Sequence, residues 1–375
     1  MNNPEALYIH IPFCDNICSY CDFYKMRAKP SVKSRYIAYL CKELDLYGKA
    51  LASVKTLYIG GGTPLSLPPE LLSKLLAKLS VYIDLKHLSE FTIEANPNDI
   101  TSERLEILRL YCVSRINLGV QSFNPTKLKI LNRNHNKKTV KKAMKLLKDY
   151  AFSNIGFDII FGVGNDSYSK VKRDLNAAIK FGVTHLSVYS LIIEDKTVIN
   201  HQLIQGKYQP CSDDREAEIY QKLIHYLKKK GFIHYELSNF SKPNFESRHN
   251  LVYWNNEYYF GLGAGASGYY NNIRYVNVRN LQSYFNGIDN AQLFYQERVE
   301  LSVIDQMKEE MILGLRKITG IDLQQFKNKY NTDLLIAFPC IKELIEKRML
   351  KKENNTLFIP EEKLYLSNEV LINFI

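Results

Sequence analysis

The sequence predicts an α/β fold: a partial (β/α)6 barrel of the TIM type, followed by a small, mostly helical C-terminal domain. Three observations predict it. Short β-rich runs alternate with helical patterns from the N-terminus to about residue 195. The strand-like runs are almost continuously apolar, as strands buried on both faces are. Polar and glycine residues gather at the ends of successive strands, the mark of a barrel's carboxyl face, whereas an open doubly wound sheet gathers them at one switch point.

In chain order, the expected strands are "ALYIHIP", "TLYIGG", "EFTIEAN", "RINLGVQ", "NIGFDIIFG" and "HLSVYSLII". Between them run stretches of helical period, such as "SRYIAYLCKELDLYGKAL" and "PPELLSKLLAKLSVYI". Such alternation demands parallel strands joined by right-handed crossovers. A further helix is expected from Ser212 to Lys230, and then "FIHYELSNF" as strand and turn. The stretch "ESRHNLVYWNNEYYFGLGAGASGYYNN" is aromatic, rich in Asn and Gly, and poorly periodic. From about Val303 two helical patterns and a short "TLFIP" strand form the C-terminal part. The expected divisions are a barrel over residues 1–235, a connecting segment over 236–299 and a C-terminal domain over 300–375.

A hydrophobic content of 46% over 375 residues allows a sizeable core. No apolar run approaches the roughly 20 residues of a membrane span, and "MNNPEALYIHIPF" lacks the pattern of a secretory signal, so the expected address is the cytoplasm. The net charge of +11 would suit an anionic partner. Lysine runs such as "NKKTVKKAMKLLKDY" read instead as one solvated helix face, so no nucleic-acid partner is expected. Of the seven cysteines, Cys41, Cys112, Cys211 and Cys340 are scattered; Cys41 and Cys112, in apolar-patterned segments, are expected in the core.

The other three, Cys14, Cys18 and Cys21, follow C-x3-C-x2-C directly after the first strand. In a reducing compartment, crowded thiols favour a soft metal over disulfides. Two chemistries compete: a closed zinc site with His10 as fourth ligand, and an iron–sulfur cluster with one iron left open. After the second strand, "GGGTP" bares the backbone to a ligand, and it lacks the lysine and spacing of a P-loop.

The pairing of C-x3-C-x2-C with GGGTP resembles the radical S-adenosylmethionine (SAM) superfamily. That resemblance implies a [4Fe–4S] cluster on Cys14, Cys18 and Cys21. The amine and carboxylate of SAM would fill the open iron site, and the cluster's electron would cleave SAM to a 5′-deoxyadenosyl radical. It extends through "YIHIPFC", "CSYCDFY", "IEANP", "NLGVQSF", "LNRNH", "FDIIFGV", "YELSNFSKP" and "GLGAGA" to the branch holding oxygen-independent coproporphyrinogen oxidase and the heme chaperone HemW. Carried over by motif, Tyr8, Tyr20, Gly61, Gly62, Thr63, Glu94, Gln121, Arg133 and Asp158 are the expected cofactor contacts. Residues 300–375 become the helical or winged domain of that branch.

Three features favour the chaperone. Phe23 stands where the oxidase has a further cysteine, the stretch before Cys14 is short, and "HNLVYW" matches the HNxxYW pattern associated with HemW. His249 is then the expected heme ligand, with Tyr253 and Trp254 against the macrocycle and Arg248 near a propionate. A histidine usual in the branch is missing from "GAGASG". The expected ligands are the cluster, SAM and heme, and the expected partner is a heme-acceptor protein, with respiratory proteins foremost. Peripheral membrane contact, a monomer or homodimer, and whether the chain is an enzyme stay open. Radical decarboxylation of coproporphyrinogen III and radical modification of RNA are the competing functions.

Overall fold

The computed structural model describes residues 3–375. Six strands lie side by side, parallel and in sequence order: β1 (Ala6–Ile11), β2 (Thr56–Gly61), β3 (Glu90–Ala95), β4 (Arg115–Gln121), β5 (Asn154–Phe161) and β6 (His185–Ser190). They fall within the six runs that the sequence predicts. Helices cross between them, including Pro30–Tyr47, Pro69–Ser80, Lys137–Asp149 and Tyr168–Phe181. The amphipathic logic is clearest in Lys137–Asp149. Asn136 caps it by accepting from the N–H groups of Lys138 and Thr139, and Val140, Ala143, Met144 and Leu147 are buried while its lysines face water.

The barrel does not close. A hairpin of β7 (Ile233–Glu236) and β8 (Asn239–Ser241) covers the free edge of β6. On the opposite edge, β9 (Tyr259–Leu262) pairs with β1 in parallel. The sheet then continues antiparallel through β10 (Ser267–Tyr270), β11 (Ile273–Asn277) and β12 (Tyr295–Glu300), for 12 strands in all. The segment that read as poorly periodic therefore contains the helix Arg248–Trp254 and two strands. Each is too short for a period to show, and β9 is placed by pairing with β1 rather than by its own pattern.

Past residue 300 the helix Val303–Gly314 precedes a 3-stranded sheet of β13 (Ile321–Asp322), β14 (Lys351–Glu353) and β15 (Thr356–Phe358). The "TLFIP" run supplies β15, and its two partners are only two or three residues long. Cys41 is buried as expected, but Cys112 is a correction. The preceding helix stops at Leu110, and Cys112 turns out to solvent in a left-handed conformation (φ 60°). Among the described residues no helix is long and apolar enough to cross a membrane.

Glu43, fully buried on the helix Pro30–Tyr47, ties that helix to the turn after β9. Its Oε2 accepts from the Gly263 N–H (2.8 Å) and the Tyr284 hydroxyl (2.6 Å), while Oε1 has no partner. Burial pushes its pKa up to about 7, against the pull of those bonds. The folded state thus holds a proton that the unfolded chain releases from about pH 4.5 upward. The contribution of Glu43 to stability is expected to fall as pH rises from 4.5 to 7 and to level off above it. Glu43→Gln, which mimics the protonated form, should remove its share of that fall, on the order of 3 kcal/mol. Urea unfolding across this pH range checks it; an unchanged slope in the variant would overturn the assignment.

Candidate functional site

Along β4, β5 and β6 every second side chain faces the inside of the open barrel. Arg115, Asn117, Asp158, His185 and Ser187 line one cavity there, while the intervening Ile116, Leu118, Phe157, Ile159 and Leu186 belong to the hydrophobic core. The cavity, of about 600 Å³, runs from the cysteine loop past the strand ends. Its lining includes Cys14, Cys18, Tyr20, Cys21, Gly61, Gly62, Thr63, Glu94, Gln121, Arg133 and Asp158. Tyr8, His249, and the candidates His10, Arg248, Tyr253 and Trp254 are not in that lining.

The cysteine loop is fastened to the glycine turn by its backbone. Gly62 N–H donates to the Ile11 carbonyl and Thr63 N–H to the Phe13 carbonyl, both at 2.8 Å. The glycines are needed for this close approach. A Cβ on Gly62 would lie 2.7 Å from the Phe13 carbonyl oxygen and 3.0 Å from Cys14 Sγ. One on Gly61, whose φ is +112°, would strike the His10 ring at 2.6 Å. Thr63 Oγ1 lies 3.7 Å from Cys14 Sγ and accepts from the Asn96 amide (3.0 Å).

Arg133 is turned inward rather than capping a helix at the surface. Its Nη1 donates to Cys18 Sγ (3.0 Å), and its Nη2 donates to Asn96 Oδ1 (2.5 Å) and the Gly119 carbonyl. Its buried Nε has no partner. Gln121 sits at a bulge of β4 with a left-handed φ of 62°, which aims its side chain at the cavity.

Two half-buried carboxylates, Glu94 and Asp158, line the cavity near the turn. Glu94 accepts from the Tyr58 hydroxyl (2.7 Å) and the Gly61 N–H (3.2 Å); burial, with the nearby Asp158 adding, pushes its pKa up to about 7. Asp158 accepts from the Asn117 amide at 2.9 and 3.0 Å and is also raised by burial. A cationic ligand would relieve both groups, and SAM carries its positive charge on the sulfonium.

The donor set suits an iron–sulfur cluster. Burial pushes the Cys14 thiol up to about 11, with Thr63 opposing and the other thiols adding, and it raises Cys21 as well. Metal-bound thiolates shed those protons, with the Arg133 guanidinium beside them. The zinc alternative loses its fourth ligand. His10 spends one ring nitrogen on the Tyr24 carbonyl (2.8 Å) and the other on the Tyr8 hydroxyl (3.0 Å).

The HNLVYW segment forms the helix Arg248–Trp254, and Glu90 accepts from its first N–H groups. His249 is 0% exposed, with Nδ1 paired to Thr56 Oγ1 (3.0 Å) and Nε2 to the Tyr253 hydroxyl (2.8 Å). Burial lowers its pKa to about 3, so it stays neutral. Trp254 lies under the Arg316 guanidinium, 4.8 Å from the ring centroid. Arg115, Asn117 and His185 were not singled out from the sequence. Their signal was available in "RINLGVQ" and "HLSVYS", where polar residues alternate in strands expected to be buried on both faces.

Residues 8–178 match the family model of the radical SAM superfamily, and residues 301–365 match that of the HemN C-terminal domain. The heme chaperone HemW of Lactococcus lactis subsp. lactis (strain IL1403) is 37% identical over 376 residues, covering 100% of this chain and 98% of the relative. That of Bacillus subtilis (strain 168) is also 37% identical, covering 99% of each. Among solved structures, the coproporphyrinogen III oxidase HemN from Escherichia coli, a radical SAM enzyme, superposes with a TM-score of 0.85 at 20% identity. The match covers 99% of this chain and 90% of that one.

Proposed function

This chain belongs to the heme chaperone HemW family of the radical SAM superfamily, and from that membership we propose that it is itself a heme chaperone. It binds heme, carries a [4Fe–4S] cluster with SAM at the open iron, and passes heme to an acceptor protein. The carrying observation is the match to curated heme chaperones at 37% identity along the whole chain. The cavity is compatible with it. Phe23, at the place of the oxidase's further cysteine, is 63% exposed at the cavity mouth. The HemN likeness, at 20% identity, speaks for the fold alone.

When bound, the cluster and SAM supply one-electron chemistry. The chain's own residues bind and orient. Cys14, Cys18 and Cys21 would hold three irons, with Arg133 donating to the Cys18 sulfur and Thr63 beside Cys14. Glu94 and Asp158 would accept from the amine or ribose hydroxyls of SAM. The cytoplasmic address, the respiratory acceptor and the division at residues 235 and 299 belong to the same proposal.

His249 remains the proposed heme ligand, and the fold attaches a condition to it. Its two hydrogen bonds, to Thr56 and Tyr253, must open before either nitrogen can reach iron. The test is an anaerobic heme titration of cluster-reconstituted chain, wild type beside His249→Ala, followed by the Soret band. Saturation near one heme per chain is expected, with a displaced Soret maximum and weaker binding in the variant. The variant also strands the Thr56 and Tyr253 hydroxyls, so a stability loss of about 1–3 kcal/mol should accompany it. No saturable binding would overturn the chaperone reading. An unchanged Soret maximum would remove His249 as the ligand and leave the rest standing.

A further inference from the structure

We propose that the floor of the barrel cavity is a carboxylate clasp, in which Arg115, His185 and Asn117 hold an acidic side arm of the ligand. The inference rests on the heme reading and adds the group by which heme is recognised. Below the level of Gln121 and Asp158, the cavity continues to Arg115, His185, Ser247, Asn250 and Arg316. None of these is among the residues that the SAM site needs.

Arg115, Asn117 and His185 are 2%, 7% and 1% exposed, and each leaves one polar atom without a partner: Nε, Oδ1 and Nδ1 respectively. Buried polar groups in native proteins are almost always satisfied. With the Nε atoms of Arg133 and Arg316, five such orphans belong to residues lining this cavity, and the three named here mark a place for something else. The opposite end of each side chain is fixed. Arg115 Nη1 donates to the Phe245 carbonyl (3.2 Å), His185 Nε2 pairs with the Tyr235 hydroxyl (2.7 Å), and the Asn117 amide donates to Asp158.

Two of the orphans, Asn117 Oδ1 and His185 Nδ1, flank the same glycine. Asn117, Gly156 and His185 are direct neighbours across β4, β5 and β6. A Cβ on Gly156 would lie 2.4 Å from Asn117 Oδ1 and 3.5 Å from His185 Nδ1. Arg115 stands near enough for its charge to add to burial in keeping His185 neutral. The Tyr235 hydroxyl accepts from Ser247 N–H (3.3 Å), and we assign its own proton to His185 Nε2. That assignment leaves Nδ1–H as the free donor. Arg115 and His185 thus offer two N–H donors and a guanidinium charge, with the Arg316 guanidinium on the same floor, and these complement a carboxylate. The free Asn117 oxygen suits a water bridged to that arm.

The other end of the cavity carries the apolar Ile17, Phe23 and Ile192 beside the polar Asn16, Asp22, Lys25 and Glu194, and Phe23 and Ile192 are 63% and 68% exposed. From Gly156 to Ile160, which also lines the cavity, β5 rises about 13 Å at roughly 3.3 Å per residue. A ligand with a flat apolar body and a carboxylate on a short arm matches this polarity, and a tetrapyrrole with propionates is such a ligand.

The test compares heme with heme dimethyl ester, whose propionates are masked, on anaerobic, cluster-reconstituted, SAM-free chain. Binding is read from the Soret band and from quenching of Trp254, the chain's single tryptophan. The ester is expected to bind wild type roughly tenfold or more weakly, the loss of a charge-assisted pair. Arg115→Gln should bind heme as weakly as it binds the ester, and Arg115→Lys should recover part of the preference. If Arg115→Gln does not fold, His185→Gln carries the same expectation, and the wild-type comparison stands by itself. Equal binding of acid and ester overturns the clasp and leaves the heme reading intact. A preference that survives in Arg115→Gln, or a loss of SAM affinity alone, also overturns it. Binding of neither ligand overturns the heme reading itself.

Discussion

Alanine at Cys14, Cys18 or Cys21 is expected to strip the chain of iron and of iron–sulfur absorption, whereas alanine at Cys41, Cys112, Cys211 or Cys340 should leave both at wild-type level. The first three thiols line one cavity, beside Arg133 and Thr63, and the other four do not. A cluster held by three protein thiolates has one position open by design, so losing another leaves two ligands and a second exposed iron. The loss should be close to complete for each cysteine, because His10, the histidine expected as a further ligand, has both ring nitrogens bonded. Iron and sulfide analysis after anaerobic reconstitution, with absorption spectra, checks it. Retention of the cluster in any one of the three variants, or its loss in Cys112→Ala, would overturn the ligand assignment.

Gly61→Ala should produce the largest loss of stability of any single methyl addition within the Gly60–Gly62 turn. The residue has a φ of +112°, which L-residues rarely adopt, and the new Cβ would lie 2.6 Å from the His10 ring. That ring cannot step aside without breaking its bonds to the Tyr24 carbonyl and the Tyr8 hydroxyl. Backbone strain of about 1–3 kcal/mol adds to overpacking of about 1–3 kcal/mol. The Gly61 N–H also donates to Glu94, so SAM affinity should fall with stability. Gly206→Ala is the control: φ is +70° there, but nothing lies within 4 Å of the new Cβ. Its cost should be strain alone, about 1 kcal/mol. Urea midpoints and equilibrium dialysis with SAM separate the two variants; equal midpoints would remove the His10 clash as a cause.

The strands β1 to β6, the cysteine loop, the glycine turn and the carboxylates Glu94 and Asp158 were legible in the sequence alone. Each belongs to a local pattern: an apolar run long enough to declare itself a strand, followed at once by the residues that carry the chemistry. Parallel strands carry their ends to one face, so residues distant in sequence meet there without further information. Tertiary structure alone decided what depends on pairing across the sheet or on which way a side chain turns. The four-residue β9 extends the parallel sheet because β1 offers it an unpaired edge. His249 and Tyr8 carry the right motifs, yet their polar atoms are bonded within the protein and they stand outside the cavity lining. Arg115, Asn117 and His185 become a site only because neighbouring strands set them side by side with Gly156 between them. A motif specifies residue types at a spacing along the chain. Burial and hydrogen-bond satisfaction, which decide whether those residues are free to bind, are properties of neighbours that only the folded chain supplies.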